Sequence, residues 1–187
     1  MFLRMSRLLI VMLVVLTAVI GLILQNRLLA ENVGGSGAAP CQDGLAAIYP
    51  CHNTNLLAFI PKEEIGATMT NTLVANIWGW TDPQTGQEIV LLGLQNGTAF
   101  VDVSDPLLPV YLGLLPTHSP TATLSTFRDM KVYQDYAFIV ADFPSENGMQ
   151  VFDLTTLRGI TMPTSFTETA HYDGIADGHN IFINEES

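Results

Sequence analysis

The chain has 187 residues, room for one domain of ordinary size, with 7 Lys and Arg against 18 Asp and Glu and a formal net charge of −11. Beyond residue 30 the imbalance sharpens to 4 basic residues (Lys62, Arg128, Lys131, Arg158) against all 18 acids, or −14, a surface that repels phosphate backbones and excludes nucleic acid as a partner. Two cysteines exclude a disulfide-dense scaffold, so the fold must rest on an apolar core.

Residues 1–30 carry Arg4 and Arg7 ahead of an uncharged apolar run from Leu8 to Leu24. Positive charge before such a run predicts an export segment with its basic end held in the cytoplasm. Cleavage after Leu28-Leu29-Ala30 and retention as a membrane anchor through residues 8–24 both stay open, because the run is slightly shorter than a comfortable span. Residues 31–40 contain Gly-Gly-Ser-Gly-Ala-Ala-Pro and read as a flexible linker. Cys41 and Cys51 follow in one short segment, and in an oxidising compartment the spacing predicts a disulfide that pins a local cap within residues 41–70. A metal pair fits less well, since no second pair of matching spacing exists. Leu56-Leu57-Ala58-Phe59-Ile60-Pro61 reads as a short extended segment closing on a turn.

From residue 71 a repeated phrase organises the chain. Ile89 to Leu94, then Gly97-Thr-Ala-Phe-Val-Asp102-Val-Ser104, is echoed by Ala137 to Asp142, then Gly148-Met-Gln-Val-Phe-Asp153-Leu-Thr155. Gly97 and Gly148 stand 51 residues apart (148 − 97), a step that suits propeller blades better than helical repeats. Thr81-Asp82-Pro83-Gln84-Thr85-Gly86-Gln87 predicts a turn, and Asn96-Gly97 predicts a type I′ hairpin between antiparallel strands. Pro106 and Pro109 break the chain before an outer strand from Val110 to Leu114. The uninterrupted apolar run Phe138-Ile139-Val140-Ala141 predicts a strand covered on both faces. Three segments open successive repeats in register: Asn76-Ile77-Trp78, Arg128-Asp129-Met130 and His179-Asn180-Ile181. The sequence thus predicts an all-β, partial propeller over residues 71–187, two blades and the first strand of a third. A chain ending just after that strand begins reads as a fragment of a longer protein.

These stretches resemble the choice-of-anchor B family of extracellular bacterial proteins built from LVIVD-type repeats. The likeness rests on Cys41–Cys51, Asn76 to Pro83, Asn96 to Pro106, Arg128 to Val132, Gly148 to Leu154 and His171 to Gly174, and covers residues 40–187. The resemblance implies display at the cell surface, through a C-terminal anchor that would lie beyond residue 187. It carries no catalytic residues over.

Chemistry-bearing side chains crowd together in His171-Tyr-Asp173-Gly-Ile-Ala-Asp177-Gly-His179-Asn180. Two imidazoles and two carboxylates this close can ligate a divalent ion or supply an acid–base pair, while Asp and Gly equally shape a loop. Weak calcium binding at Asp173 and Asp177 is the metal chemistry this segment suggests; a tightly held transition metal is not expected, since neighbours along a strand alternate faces. Arg128 and Asp129, at the start of an inner strand, form an ion pair or face a ligand in a central channel. Trp78 and Trp80 share one face and predict core packing. Asp102 and Asp153, at one repeat position, predict turn caps. Ser119 to Ser125 is rich in hydroxyls but has no Gly-x-Ser-x-Gly elbow. The expected function is a non-enzymatic binding module for extracellular protein or glycan, held to a membrane if the N-terminal segment persists. The competing expectation is an extracellular hydrolase or lyase, calcium-dependent in one form, with chemistry around His171–Asn180.

Overall fold

A computed structural model describes residues 37–67, 72–119, 127–142 and 147–184, which divide into two compact units after Phe59. The apolar run Leu8–Leu24 and most of the linker lie outside the described residues, as does all but the first residue of Ser119–Ser125.

In the first unit, strands β1 (Leu45–Ala46) and β2 (Tyr49–Pro50) pair antiparallel inside the loop closed by a Cys41–Cys51 disulfide, whose Cα atoms lie 5.8 Å apart. The Cys51 amide donates to the Gly44 carbonyl and the Cys41 amide to Asn55 Oδ1. The disulfide predicted from spacing is formed, around a hairpin too short to stand alone.

The second unit is all-β apart from two short 3₁₀ turns, Lys62–Ile65 and Leu154–Leu157. Its first sheet is a meander of β3 (Val74–Thr81), β4 (Glu88–Leu94), β5 (Gly97–Asp102) and β6 (Val110–Pro116). Its second sheet repeats that order with β7 (Phe127–Tyr133), β8 (Tyr136–Asp142) and β9 (Met149–Asp153). The chain then crosses back, laying β10 (Thr164–Ser165) parallel to β6, before β11 (Ala170–Tyr172) closes the second sheet against β9. The crossover was not legible in the sequence, because a two-residue strand has no periodicity of its own.

Central strands β5 and β8 are buried on both faces, as their continuous apolar runs require. The core lies between the sheets: Trp80, Ile89, Leu91, Phe100 and Leu112 from the first meet Met130, Ile139, Phe152 and Leu154 from the second. Phe100 stacks on Phe152 at 4.8 Å, and Phe166, just beyond β10, packs edge-on against both. Burying each such ring contributes about 2–3 kcal/mol. An ion pair between Arg158 and Asp82 also joins the sheets. Arg158 donates from Nε and Nη2 to both oxygens of buried Asp82, at 2.9 and 2.7 Å, and this fork holds the carboxyl well below the usual carboxylate range.

Asp102 Oδ1 accepts from the amide and hydroxyl of Ser104, and Asp153 Oδ1 from those of Thr155. The two repeats therefore cap the end of the same strand in the same way. Other expectations need correction. The β4–β5 hairpin forms, but Leu94 pairs with Gly97, so the two turn residues are Gln95 and Asn96, and neither takes a positive φ. Gly97 instead lies in β5, where a Cβ would overlap the Leu115 carbonyl oxygen of β6. Close strand approach, not a type I′ turn, is what requires glycine there. His179 to Ile183, expected to open a third repeat, carries no strand. A strand is defined by a hydrogen-bonded neighbour, and none runs beside this segment among the described residues. Trp80 is buried in the core, but Trp78 is 41 % exposed, with the Lys131 ammonium 4.3 Å above its ring.

Candidate functional site

Residues of the His171–Asn180 segment do not gather at one point. They lie at three places: Asn180 at Asp129, His179 at Asp142, and His171 with Asp173 at a cleft beside His118.

The first is Asp129 on β7, a buried carboxylate that gathers hydrogen bonds from β3, from β7 itself and from residues 180–181. Its Oδ1 accepts from Asn76 Nδ2 (2.8 Å), Lys131 Nζ (2.9 Å) and the Met130 amide (2.9 Å). Its Oδ2 accepts from the Ile181 amide at 3.0 Å and more distantly from Asn180 Nδ2. Burial alone would raise this carboxyl; the Ile181 amide and Lys131 outweigh it and lower it below the ordinary value. Asn76, Asp129 and Asn180 hold the same position of the three segments aligned in the sequence, and the side chains of Asn76 and Asn180 meet the Asp129 carboxylate although only Asn76 and Asp129 lie on strands.

Arg128, the neighbour of Asp129, points the other way because strand neighbours alternate faces. The ion pair considered from sequence is not made: Asp129 pairs with Lys131. Arg128 is 1 % exposed, with Nε donating to the Leu94 carbonyl and Nη1 to Gln150 Oε1. Burial without a carboxylate lowers it to about 10. Its Nη2 has no hydrogen-bond partner among the described residues.

The second partner is Asp142 at the end of β8, whose Oδ2 lies 2.6 Å from Nδ1 of exposed His179. The His179 ring also packs on Phe127 at 4.6 Å. His179 and Asn180 line a cleft of about 310 Å³ with Val74, Asn76, Phe127 and Arg128.

The third partner set surrounds His171 on β11, which stands opposite Gln150 of β9. The His171 and His118 rings stack at 3.5 Å and 16°. Glu168 Oε1 lies 2.6 Å from His118 Nδ1 and 3.6 Å from His171 Nδ1. One donor atom from each of the three lies within 4.8 Å of the others. His118 follows the end of β6 and Glu168 lies between β10 and β11, so the connections of both sheets supply the cluster. Gly148 makes room for it: φ is 57°, and a Cβ would overlap the Tyr172 carbonyl oxygen and the His171 ring. These residues open on a cleft of about 410 Å³ lined by His118, Gly148, His171, Asp173 and Ile175. Asp173 and Asp177 are exposed, and only Asp173 borders this cleft.

Sequence reading thus singled out His171 and missed His118 and Glu168. The one sequence signal for the histidine pair is its separation, 53 residues (171 − 118), equal to the step from Ile77 to Met130. No helix among the described residues is long and apolar enough to cross a membrane. No protein-family model, curated protein or solved structure matches the chain.

Proposed function

We propose that the chain is an exported, surface-displayed propeller repeat protein of the choice-of-anchor B type, acting as a binding module rather than an enzyme. The observation that carries the reading is the Asp129 hub. Asn76 and Asn180, which hold the position of Asp129 in the other two segments aligned from sequence, both donate to it there, the arrangement expected of successive blades around a common axis. Two meanders of like order, with matching Asx caps at Asp102 and Asp153, support the same architecture. The Arg4–Leu24 pattern supports export and membrane attachment if the segment is retained. Extracellular protein or glycan is the proposed partner. His179 is drawn to Asp142, away from the cleft that His171 and Asp173 share, and no hydrogen bond or ion pair joins any two of His171, Asp173, Asp177 and His179, which favours binding over catalysis.

The test is to screen the full chain for saturable binding to arrayed glycans and extracellular proteins, and in parallel for turnover of hydrolase and lyase substrates. Saturable binding without turnover is the expected result. Turnover abolished by Asp173→Ala or His179→Ala would overturn the reading in favour of an enzyme.

A further inference from the structure

We propose that His118, Glu168 and His171 form a binding site for a divalent transition metal of the zinc class. The donor set is two imidazoles and one carboxylate, which suits zinc and its neighbours; calcium takes six to eight oxygens, and this cluster offers too few. Nδ1 of His118 and His171 both face the same Glu168 oxygen, at 2.6 and 3.6 Å. Ligand atoms about 2.0–2.1 Å from a tetrahedral zinc stand roughly 3.3 Å from one another, so these two separations bracket the geometry an ion requires. Coordination widens the shorter one and turns the stacked rings until both lone pairs meet the ion. The ion takes the place of the hydrogen bond between His118 Nδ1 and Glu168 Oε1, and each metal-bound imidazole keeps its single proton on the other ring nitrogen.

Two further features set this cluster apart from a closed structural contact. Glu168 Oε2 and His171 Nδ1 are buried atoms with no hydrogen-bond partner among the described residues. Such atoms carry a desolvation cost that a metal bond removes. The adjoining cleft of about 410 Å³ leaves space for a fourth ligand, water or a group from a bound molecule. The histidines come from the end of one sheet and the edge strand of the other, so an ion would tie the sheets together and stabilise the fold. This site is independent of what the repeat surface binds.

The experiment is thermal unfolding of the metal-stripped full chain in zinc chloride, in calcium chloride and in chelator. Zinc should raise Tm with the logarithm of its concentration, and calcium at equal concentration should not. His118→Ala, His171→Ala and Glu168→Gln should each weaken zinc binding by more than the roughly 10–100-fold that loss of an outer-shell partner costs. His179→Ala should leave it unchanged. A zinc response absent from the native chain, or undiminished in His118→Ala and His171→Ala, overturns the proposal. Cobalt(II) provides a check that needs no variant. The native chain should give the intense visible absorption of four-coordinate cobalt, displaced by zinc; the faint spectrum of the hydrated ion contradicts the site.

Discussion

Asp129 and Glu168 are both carboxylates placed between segments of different repeats, yet their surroundings are opposite. Each Asp129 oxygen accepts hydrogen bonds from side chains and backbone amides, and the group is buried where β3, β7 and residues 180–181 meet. Glu168 shares one oxygen between two imidazoles that line a cleft, and its other oxygen has no hydrogen-bond partner among the described residues. A satisfied buried carboxylate is spent on the fold, whereas one with unused capacity at a cleft is available to a ligand. The difference separates structure from function in a chain whose His- and Asp-rich segment mixes the two.

The largest expected effect sets the scale for that contrast. Phe152→Ala opens the ring cluster between the sheets and should cost about 3–5 kcal/mol, read by denaturant unfolding. Asp129→Ala should follow at about 2–3 kcal/mol, because the Ile181 amide, Asn76 and Lys131 all lose their acceptor. A cost under about 0.5 kcal/mol would remove the basis for treating the hub as structural.

Acid sharpens the comparison next. Asp82 is held below its ordinary value first by Arg158, and Asp129 is also lowered, so in both the folded state favours the charged form. Their stabilisation is present in full above the unfolded value near 3.8 and is lost as pH falls below about 4 toward the lower folded values. Unfolding followed from pH 6 to pH 2 should show that loss, and Asp82→Asn should flatten it. An acid limb unchanged in Asp82→Asn would assign the loss to other groups. The smallest effect is at the cluster: without metal, His118→Ala should change stability by less than about 1 kcal/mol, since its contact with Glu168 is exposed on the histidine side.

What the sequence made legible was local. Turn residues at 81–87 and 104–109, the Asp102 and Asp153 caps and the Cys41–Cys51 closure are each decided within a few residues, and each formed. Gly97 was read as a turn glycine because Asn-Gly favours one, while the Leu115 carbonyl that demands it lies on another strand. β10 escaped notice because pairing with β6, not its own pattern, makes it a strand. The same distinction governs the site. His171 and His179 stand together in sequence, but a strand takes one to Glu168 and a loop takes the other to Asp142. His118 and Glu168 lie 50 residues apart, and only the crossover through β10 brings them to one point.

One paired measurement tests the distinction most directly: thermal melts of Asp129→Asn and Glu168→Gln, each with zinc and with chelator. Asp129→Asn should lower Tm by roughly 4–12 °C, from about 2–3 kcal/mol at about 2–4 °C per kcal/mol, and keep the full zinc shift. Glu168→Gln should keep the native Tm in chelator and lose the zinc shift. The reverse pattern, a zinc shift lost with Asp129 and retained without the Glu168 carboxylate, would contradict the account.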